Sequence, residues 1–325
     1  MEPFFASKRQ RRFFVFFGNK YAESVKIFVI ISDDAKIKGK SRKGIQIHLT
    51  EGRISVIDIH SHILDSLDGS IKTEEGSLKI LRFAAGAGVT DIIATPCIMK
   101  CAEQCEWHLI KERTAMMNKR VEAAGVSIRV HSGAELAMNW ELLSLLKTGQ
   151  RDYCLAESNY VLVALVGEAL PDYADDFLYE LQVKELIPVI ARPERSKALA
   201  ERPQILHEWV KNGVLVQSNL SSFTYKYGAK VKNYADFLLE NNMVHFLGSD
   251  ACKLEFLEKD VAAASDELKN KLLPIEFRRI AVANPRAILE NRFLDVSVPA
   301  TIKMPGEKHK GFFASLFGER LASFF

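Results

Sequence analysis

The sequence predicts an α/β protein in which parallel β-strands are covered by helices and closed into a barrel. Short apolar segments alternate with helical patterns seven times along the middle of the chain, an order that is typical of parallel sheets. The chain has no glycine-rich dinucleotide-binding fingerprint, so a barrel is favoured over an open sheet. In such a barrel the chemistry lies where strands end and loops begin.

The predicted strands are short and rich in valine and isoleucine, as expected of strands that are buried on both faces. They are Ile54–Ile59, Asp91–Thr95, Ser127–His131, Tyr160–Val166, Ile187–Ala191, Val214–Ser218 and Val244–Gly248. Most of the predicted helices end at a glycine or asparagine, such as Gly88 or Asn241. They are Thr73–Ala87, Glu103–Ala124, Trp140–Leu146, Tyr173–Glu185, Pro203–Asn212, Lys230–Asn241, Leu257–Asn270, Pro274–Ala283 and Asn284–Arg292.

We divide the 325 residues into a basic, phenylalanine-rich extension over 1–53, the predicted α/β domain over 54–296, and a linker with an amphipathic tail over 297–325. The extension holds 12 Lys and Arg against 5 Asp and Glu. We expect it to be poorly ordered, with an interfacial membrane anchor as the sharper alternative. A translation start at Val56, which would leave 1–55 untranslated, is a third hypothesis.

Composition excludes several classes of protein. With 48% hydrophobic residues and a net charge of +3, the chain is neither disordered nor fibrous, and its charge pattern does not indicate nucleic-acid binding. We expect no transmembrane helix, because no apolar run is long enough. Five cysteines, an odd count, without a signal peptide favour reduced thiols and a cytoplasmic location, with peripheral contact at the inner face of the membrane through 1–20 or 311–325. The oligomeric state is left open.

The first strand ends in two histidines. His60 and His62 are two residues apart in Asp58-Ile59-His60-Ser61-His62, so both side chains leave the same face of the strand. Two adjacent imidazoles are half of a metal site, whereas a single histidine on a strand is usually packed in a core. Asp68 follows closely and is a candidate partner.

Other predicted strands end in residues that could complete the site. They are Cys97 after the second strand, Glu135 after the third, Arg192 and Arg195 after the fifth, and Asp250 and Cys252 after the seventh. Because the carboxyl ends of parallel strands open at one mouth of a barrel, we expect these side chains to converge.

These residue types point to metal-assisted phosphoester hydrolysis. A carboxylate that can bridge, beside a histidine pair and an aspartate, suits a divalent ion such as Mn²⁺, Fe²⁺ or Zn²⁺. Such ions polarise a phosphoryl oxygen and generate hydroxide at neutral pH, so no covalent nucleophile is needed. Arg195 could bind a phosphate through its planar guanidinium, or form a salt bridge with Glu194.

Five stretches of the chain resemble the polymerase-and-histidinol-phosphatase (PHP) superfamily, and within it the capsule-biosynthesis tyrosine-protein phosphatases of the CpsB/CapC/YwqE type. They are IDIHSHIL (57–64), GVTDIIATP (88–96), GAE (133–135), PVIARPERS (188–196) and NNMVHFLGSDA (241–251). The resemblance implies a distorted (β/α)₇ TIM-like barrel of the PHP type with a trinuclear, usually manganese-dependent centre. It also implies removal of phosphate from the tyrosine-rich tail of a bacterial tyrosine autokinase in polysaccharide export.

The resemblance carries roles onto individual residues. The metal ligands that it implies are His60, His62, Glu135, Asp250 and, if the preceding loop is one residue shorter than in the family, Asp68. It also implies catalytic roles for Arg195 and Asp250, with Arg195 binding the phosphate.

Three histidine ligands of the family pattern are missing, since Cys97, Arg192 and Cys252 stand in their places. A cysteine thiolate could substitute as a ligand, but it favours Zn²⁺ or Fe over Mn²⁺. Arg192 cannot ligate a metal, and its charge would repel a cation while attracting phosphate together with Arg195. We therefore expect the metal position at the histidine pair to remain and a second one to be lost or weakened.

Three functional hypotheses follow. The first is a metal-dependent protein-tyrosine phosphatase, with reduced activity if the missing histidines matter. The second is a catalytically degenerate relative that binds the phosphotyrosine tail of a kinase without turnover. The third is a phosphoesterase of the same superfamily that acts on a small phosphomonoester. Bound metal and turnover of a phosphotyrosyl peptide distinguish the first hypothesis from the second.

Overall fold

The computed structural model describes residues 10–14, 27–32, 36–37, 40–41, 44–49, 56–65, 67–99, 106–296 and 301–302. The chain divides into two compact units, Met1–Ile54 and Ser55–Phe325. The tail 311–325 and most of 1–20, where membrane contact is predicted, lie outside the described residues. The boundaries 1–53, 54–296 and 297–325 stay predictions.

The first unit contains five strands in its described part. They are β1 (Gln10–Phe14), β2 (Ile27–Ser32), β3 (Lys36–Ile37), β4 (Lys40–Ser41) and β5 (Gly44–Leu49). Strands β1, β2 and β5 form an antiparallel sheet in that order, and β3 pairs with β4. The apolar, β-branched run of β2 supplies the central strand. No strand is predicted here from the sequence.

The second unit is built on parallel strands, which match the predicted ones within a few residues. They are β6 (Val56–Ser61), β7 (Val89–Ala94), β8 (Cys97–Ile98), β9 (Arg129–Ser132), β10 (Glu135–Ala137), β11 (Tyr160–Ala164), β12 (Ile187–Ala191), β13 (Leu215–Asn219) and β14 (Phe246–Gly248). One sheet has the order β6-β7-β9 and the other β8-β10-β11-β12-β13-β14.

Hydrogen bonds join the last strand to the first. The amide of Asp250 donates to the carbonyl of His60 at 2.9 Å, and the amide of His62 donates to the carbonyl of Ala251 at the same distance. Because β7 continues into β8 and β9 into β10, the strands occupy seven positions around a ring. The predicted distorted barrel of parallel strands is confirmed.

Two of the seven strand positions are interrupted, which the sequence patterns did not indicate. Pro96 separates β7 from β8, since proline has no amide hydrogen to donate to a neighbouring strand. Gly133 separates β9 from β10, and a Cβ at that residue would lie 2.9 Å from Cγ2 of Ile93. After both breaks, Glu135 pairs with Cys97, so the carboxylate enters the barrel mouth from a new strand segment.

Ten helices lie in the described part of the second unit. They are α1 (Glu74–Gly86), α2 (Trp107–Ala123), α3 (Trp140–Leu143), α4 (Ala174–Val183), α5 (Lys197–Glu201), α6 (Pro203–Lys211), α7 (Ala229–Glu240), α8 (Leu254–Lys271), α9 (Pro274–Arg278) and α10 (Asn284–Leu289). α1 begins where the Thr73 hydroxyl accepts from the amide of Gly76 at 3.2 Å, a helix cap. None of the described helices has the length and apolar character needed to cross a membrane.

Buried side chains form two clusters on opposite faces of the strands. Tyr160 and Leu162 of β11 belong to an inner cluster with Val189, Leu215 and Phe246 of the neighbouring strands. Their sequence neighbours, Val161 and Val163, belong to an outer cluster that holds helix residues such as Ile80, Met117, Phe177 and Leu238. The alternation follows from the two-residue period of a strand, and it leaves only the strand ends for polar chemistry.

His245 is a buried histidine that directly precedes β14. Its Nδ1 accepts from the amide of Val216 at 3.0 Å, and its carbonyl accepts from the Asn284 side chain at 2.8 Å. Burial, with a smaller contribution from Arg279, lowers the pKa of His245 from 6.5 to about 3. The imidazole is therefore neutral in the folded protein, where protonation would break the bond with Val216.

We expect the free energy of unfolding to fall as the pH is lowered from 6.5 towards 3. In that window the unfolded His245 binds a proton that the folded protein does not take up, because the folded pKa is about 3. This favours the unfolded state by at most about 1.4 kcal/mol per pH unit. Chemical denaturation at several pH values measures the slope, and His245→Asn should make it shallower. Equal slopes in both proteins would contradict this assignment.

Candidate metal centre

The candidate site lies at the carboxyl ends of the barrel strands. His60 lies near the end of β6 and His62 directly follows it, Glu135 begins β10, and Asp250 follows β14. Arg192 and Arg195 follow β12 in a single turn of 3₁₀ helix. The structure thus brings together six of the predicted residues, which are up to 190 positions apart in sequence.

The two histidines point their Nε2 atoms at the same space. These atoms are 3.3 Å apart. On the other side of each ring, Nδ1 of His60 lies 2.8 Å from Oε1 of Gln217, and Nδ1 of His62 lies 2.7 Å from Oδ2 of Asp68. Both partners accept a hydrogen bond from Nδ1, so each Nε2 is the ring nitrogen left for a metal ion.

One oxygen of each central carboxylate faces the same space. Oε2 of Glu135 is 3.6 Å from both Nε2 atoms, and Oδ1 of Asp250 is 3.7 Å from Nε2 of His60 and 3.2 Å from Nε2 of His62. Ligand atoms of His60, His62 and Glu135 all lie within 4.8 Å of one another, and Asp250 is not part of this group. Ligands about 2.1 Å from one ion, at angles near 105–120°, are separated by about 3.3–3.6 Å, which these distances approach.

The donors present fit a divalent ion. Oε2 of Glu135 is buried and has no hydrogen-bond partner among the described residues. An unpartnered buried carboxylate oxygen costs free energy unless a cation or donor compensates it. Two imidazole nitrogens with carboxylate oxygens suit Zn²⁺, Fe²⁺ or Mn²⁺. His60, His62 and Glu135 could therefore hold one such ion, and Oδ1 of Asp250, near both histidines, is a further donor on the same side.

The other oxygens of the two carboxylates face arginines. Nη2 of Arg192 donates to Oε1 of Glu135, and Nη1 of Arg192 donates to Oδ2 of Asp250 at 2.8 Å. Nη1 of Arg195 and the amide of the Asn219 side chain also donate to Oδ2 of Asp250, at 3.1 and 3.0 Å. The Arg195 guanidinium lies 4.6 Å from the centre of the Tyr227 ring, a cation–π contact.

These contacts set the protonation of the site. Burial opposes the charge of Glu135, but His60 and Arg192 outweigh it and hold the pKa of Glu135 at about 2. Burial also opposes charge on Asp250, yet its contacts with the histidines and Arg192 hold its pKa well below the usual range. For His62, contacts with Asp250 and Asp68 outweigh burial and raise the pKa to about 10. A proton and a metal ion therefore compete for Nε2 of His62.

A buried carboxylate beneath the site joins the first and last strands. Oδ2 of Asp58 accepts from the Ser249 hydroxyl at 2.5 Å, and Oδ1 accepts from the Ser249 amide at 3.0 Å. A Cβ on Gly248 would lie 2.6 Å from Gln217 Nε2 and 2.8 Å from His60 Cβ. Glycine is therefore required at 248 for His60 and Gln217 to meet.

The remaining predicted residues have other surroundings. Asp68 contacts Nδ1 of His62, on the far side of the ring from Nε2, and it also accepts from the amide of Cys97 at 3.1 Å. Cys97 and Cys252 are free thiols outside the group of close ligand atoms. Burial and Glu135 raise the pKa of Cys97 to about 12, and burial and Asp250 raise that of Cys252. The ligand roles of these three residues stay predictions.

Several residues of the site are not of the types that usually bind metals, so a search of the sequence for metal ligands does not find them. Gln217 and Asn219 are uncharged amides on β13, and Ser249 and Tyr227 resemble ordinary loop residues. The polar run Gln217-Ser218-Asn219 at the end of an otherwise apolar strand is the sequence feature that could have drawn attention to them. Asp58 lies in the histidine motif itself and alternates with the histidines. The sequence alone therefore did not reveal its structural role, which is to bind Ser249.

Comparisons with known proteins agree with this geometry. The sequence model of the family described as "Capsular polysaccharide synthesis, CpsB/CapC" matches residues 56–290. Tyrosine-protein phosphatase YwqE of Bacillus subtilis is 32% identical over 196 residues, which are 60% of this chain and 77% of that protein. Tyrosine-protein phosphatase CpsB of Streptococcus agalactiae serotype V is 25% identical over 248 residues, 74% of this chain and all of that protein.

A solved structure shares the barrel. This structure is described as "Crystal structures of YwqE from Bacillus subtilis and CpsB from Streptococcus pneumoniae, unique metal-dependent tyrosine phosphatases". The similarity has a TM-score of 0.69 at 27% sequence identity, and it covers 76% of this chain and 100% of that chain. The part of this chain that resembles known proteins is therefore the part that carries the histidines and carboxylates.

We expect Asp68→Ala to weaken metal binding by about 10–100-fold, because His62 would lose the acceptor that orients its ring. Asp68→Asn should recover most of the affinity, since its side-chain oxygen can still accept from Nδ1 of His62. Calorimetric titration of the full chain with Zn²⁺ and Mn²⁺ measures both variants, and Asp172→Ala, at an exposed aspartate, is the control. If Asp68→Asn loses as much affinity as Asp68→Ala, Asp68 is a ligand rather than a positioning residue.

Proposed function

Because this chain belongs to the CpsB/CapC family of capsular polysaccharide synthesis, whose sequence model matches residues 56–290, we propose that it is a metal-dependent protein-tyrosine phosphatase. Its substrate would be phosphotyrosine on a bacterial tyrosine kinase that acts in the synthesis or export of capsular polysaccharide. The observation that carries the proposal is the convergence of His60, His62, Glu135 and Asp250 at the barrel mouth, beside two arginines.

The residues around the site suit a phosphomonoester. A divalent ion held by the histidines and carboxylates would act as a Lewis acid towards a phosphoryl oxygen and strengthen water as a nucleophile. Arg195, whose side chain is 39% exposed, is the more exposed of the two arginines and can reach an incoming phosphate while its guanidinium stays over Tyr227. Asp250 accepts from Arg195 through Oδ2 and has Oδ1 on the side of the histidines, which supports its proposed roles as a ligand and as a residue that positions Arg195.

For the identity of the ion, we propose Mn²⁺ from the family resemblance, with Zn²⁺ or Fe²⁺ as the competing ions. The donor types of the site, imidazole and carboxylate, accept all three. The thiols of Cys97 and Cys252 would shift the preference towards Zn²⁺ or Fe²⁺ if either were drawn in as a thiolate. Metal analysis of the purified chain distinguishes these ions.

The cellular setting is proposed on the same grounds. To act on a kinase of capsule synthesis, the phosphatase would work in the cytoplasm, at or near the inner face of the membrane. The basic segment 1–20 and the amphipathic tail 311–325 are the proposed points of peripheral contact. No nucleic-acid partner is proposed.

A second candidate function is binding of the phosphotyrosine tail without turnover. The observation that favours it is the position of Arg192, which occupies one oxygen of each central carboxylate and adds positive charge beside Arg195. Two guanidinium groups at the mouth of the barrel could bind phosphate by bidentate contacts even where hydrolysis is slow.

The test is hydrolysis of a phosphotyrosyl peptide by the full chain with added Mn²⁺ or Zn²⁺. We expect release of phosphate that a chelator abolishes and added metal restores. His60→Ala should lower the rate by at least about 100-fold, because it removes a ligand. The matched control is His108→Ala, at an exposed histidine of α2, which should keep the rate.

The outcomes separate the two candidates. Peptide binding without turnover under every metal condition would favour the binding module and contradict the phosphatase. Turnover that is insensitive to both the chelator and His60→Ala would contradict the metal-dependent mechanism. Binding is measured by fluorescence anisotropy with the same peptide.

A further inference from the structure

In each of the two central carboxylates, Glu135 and Asp250, one oxygen faces the histidine pair and the other faces Arg192. Oε2 of Glu135 and Oδ1 of Asp250 face the Nε2 atoms of the histidines at 3.2–3.7 Å. Oε1 of Glu135 and Oδ2 of Asp250 are both bound by Arg192. Each carboxylate therefore bridges between the histidine side and the guanidinium side, as a carboxylate does between two metal ions.

Arg192 is held in this position by its backbone as well as by its side chain. Its amide donates to the carbonyl of Gln217 at 2.8 Å, and its carbonyl accepts from the amide of Arg195 at 3.0 Å. Its φ of 50° lies in the left-handed region, and Pro193 restricts the residue further. The side chain is 20% exposed, so solvent screens the contacts with both carboxylates only weakly.

We infer that the Arg192 guanidinium takes the place of a second metal ion, so that the centre binds a single divalent ion on the side of His60 and His62. The inference rests on the metal-binding part of the proposed function and not on turnover. A guanidinium is not deprotonated in proteins, so its positive charge stays, and it has no free electron pair with which to ligate a metal. A second cation that used Oε1 of Glu135 and Oδ2 of Asp250 would have to break both ion pairs and would then lie beside a fixed positive charge.

The substitution changes what this half of the site can do. A guanidinium supplies positive charge and planar hydrogen bonds for a phosphate, and its charge does not depend on the metal concentration. Unlike a metal ion, it cannot lower the pKa of a water molecule by direct coordination. The nucleophile must therefore be generated on the histidine side, whereas Arg192 stabilises the carboxylates and the phosphoryl charge.

The experiment counts metal ions bound to the full chain. Equilibrium dialysis against Mn²⁺ or Zn²⁺, followed by elemental analysis, gives the number of ions bound per chain. We expect one ion in the wild type, which His60→Ala removes, and two in Arg192→Asn, since asparagine tolerates a positive φ and frees both carboxylate oxygens. The matched control is Arg195→Asn, because Arg195 contacts Asp250 but not Glu135. This variant should still bind one ion per chain.

A spectroscopic measurement gives a second readout. Electron paramagnetic resonance of the Mn²⁺-loaded wild type should show the signal of an isolated ion, and Arg192→Asn should show spin coupling between two ions. Thermal unfolding of each variant verifies that it is folded before the ions are counted. The wild-type count alone tests the inference if Arg192→Asn does not fold.

Each result decides a different claim. No metal on the wild type would overturn the proposed metal centre itself. Two or more site-specific ions with Arg192 in place would overturn the inference and leave the proposed function standing. One ion in both the wild type and Arg192→Asn, or two in Arg195→Asn, would show that Arg192 does not take the place of an ion.

Discussion

The structure depends on how one buried and one half-buried carboxylate are neutralised. Glu135, at the start of β10, and Asp250, after β14, carry negative charge at the mouth of the barrel. Leaving such a charge without a partner would cost on the order of 3–5 kcal/mol. Positive or hydrogen-bonding groups approach from two directions: the histidine pair on one side and Arg192 with Arg195 on the other. The same arrangement that stabilises these charges also leaves one oxygen of each carboxylate facing the histidines, where the proposed metal ion would bind.

The barrel supplies the rigidity that this arrangement requires. The apolar alternation along the strands fills the interior and the helix-covered face, and only the strand ends remain polar. Asp58 and Ser249 join the first strand to the loop after the last one, which fixes Asp250 relative to His60. Gly248 then allows His60 and Gln217 to approach closely. Small displacements at any of these points would move a ligand atom out of reach of a common ion.

Much of the architecture could be predicted from local patterns. Seven apolar segments alternating with helices led to seven strand positions, because a strand that is buried on both faces must be apolar throughout. The breaks at Pro96 and Gly133 were missed, as was the short helix Lys197–Glu201, since each depends on packing against a neighbouring segment. The histidine pair was visible for the opposite reason: its spacing of two residues is a local property of one strand.

The sequence by itself determined the fold class, the family resemblance and the residue types available at the barrel mouth. Only the tertiary structure decided which atoms those residues use. Asp68 was predicted as a ligand, and the structure shows that it contacts Nδ1 of His62, while its ligand role stays a prediction. Arg192 was expected near the site, but its bridge between Glu135 and Asp250 was not. The reason is that a residue's position in sequence specifies the strand end on which it lies, whereas the oxygen or nitrogen that it presents depends on neighbours brought in by other strands.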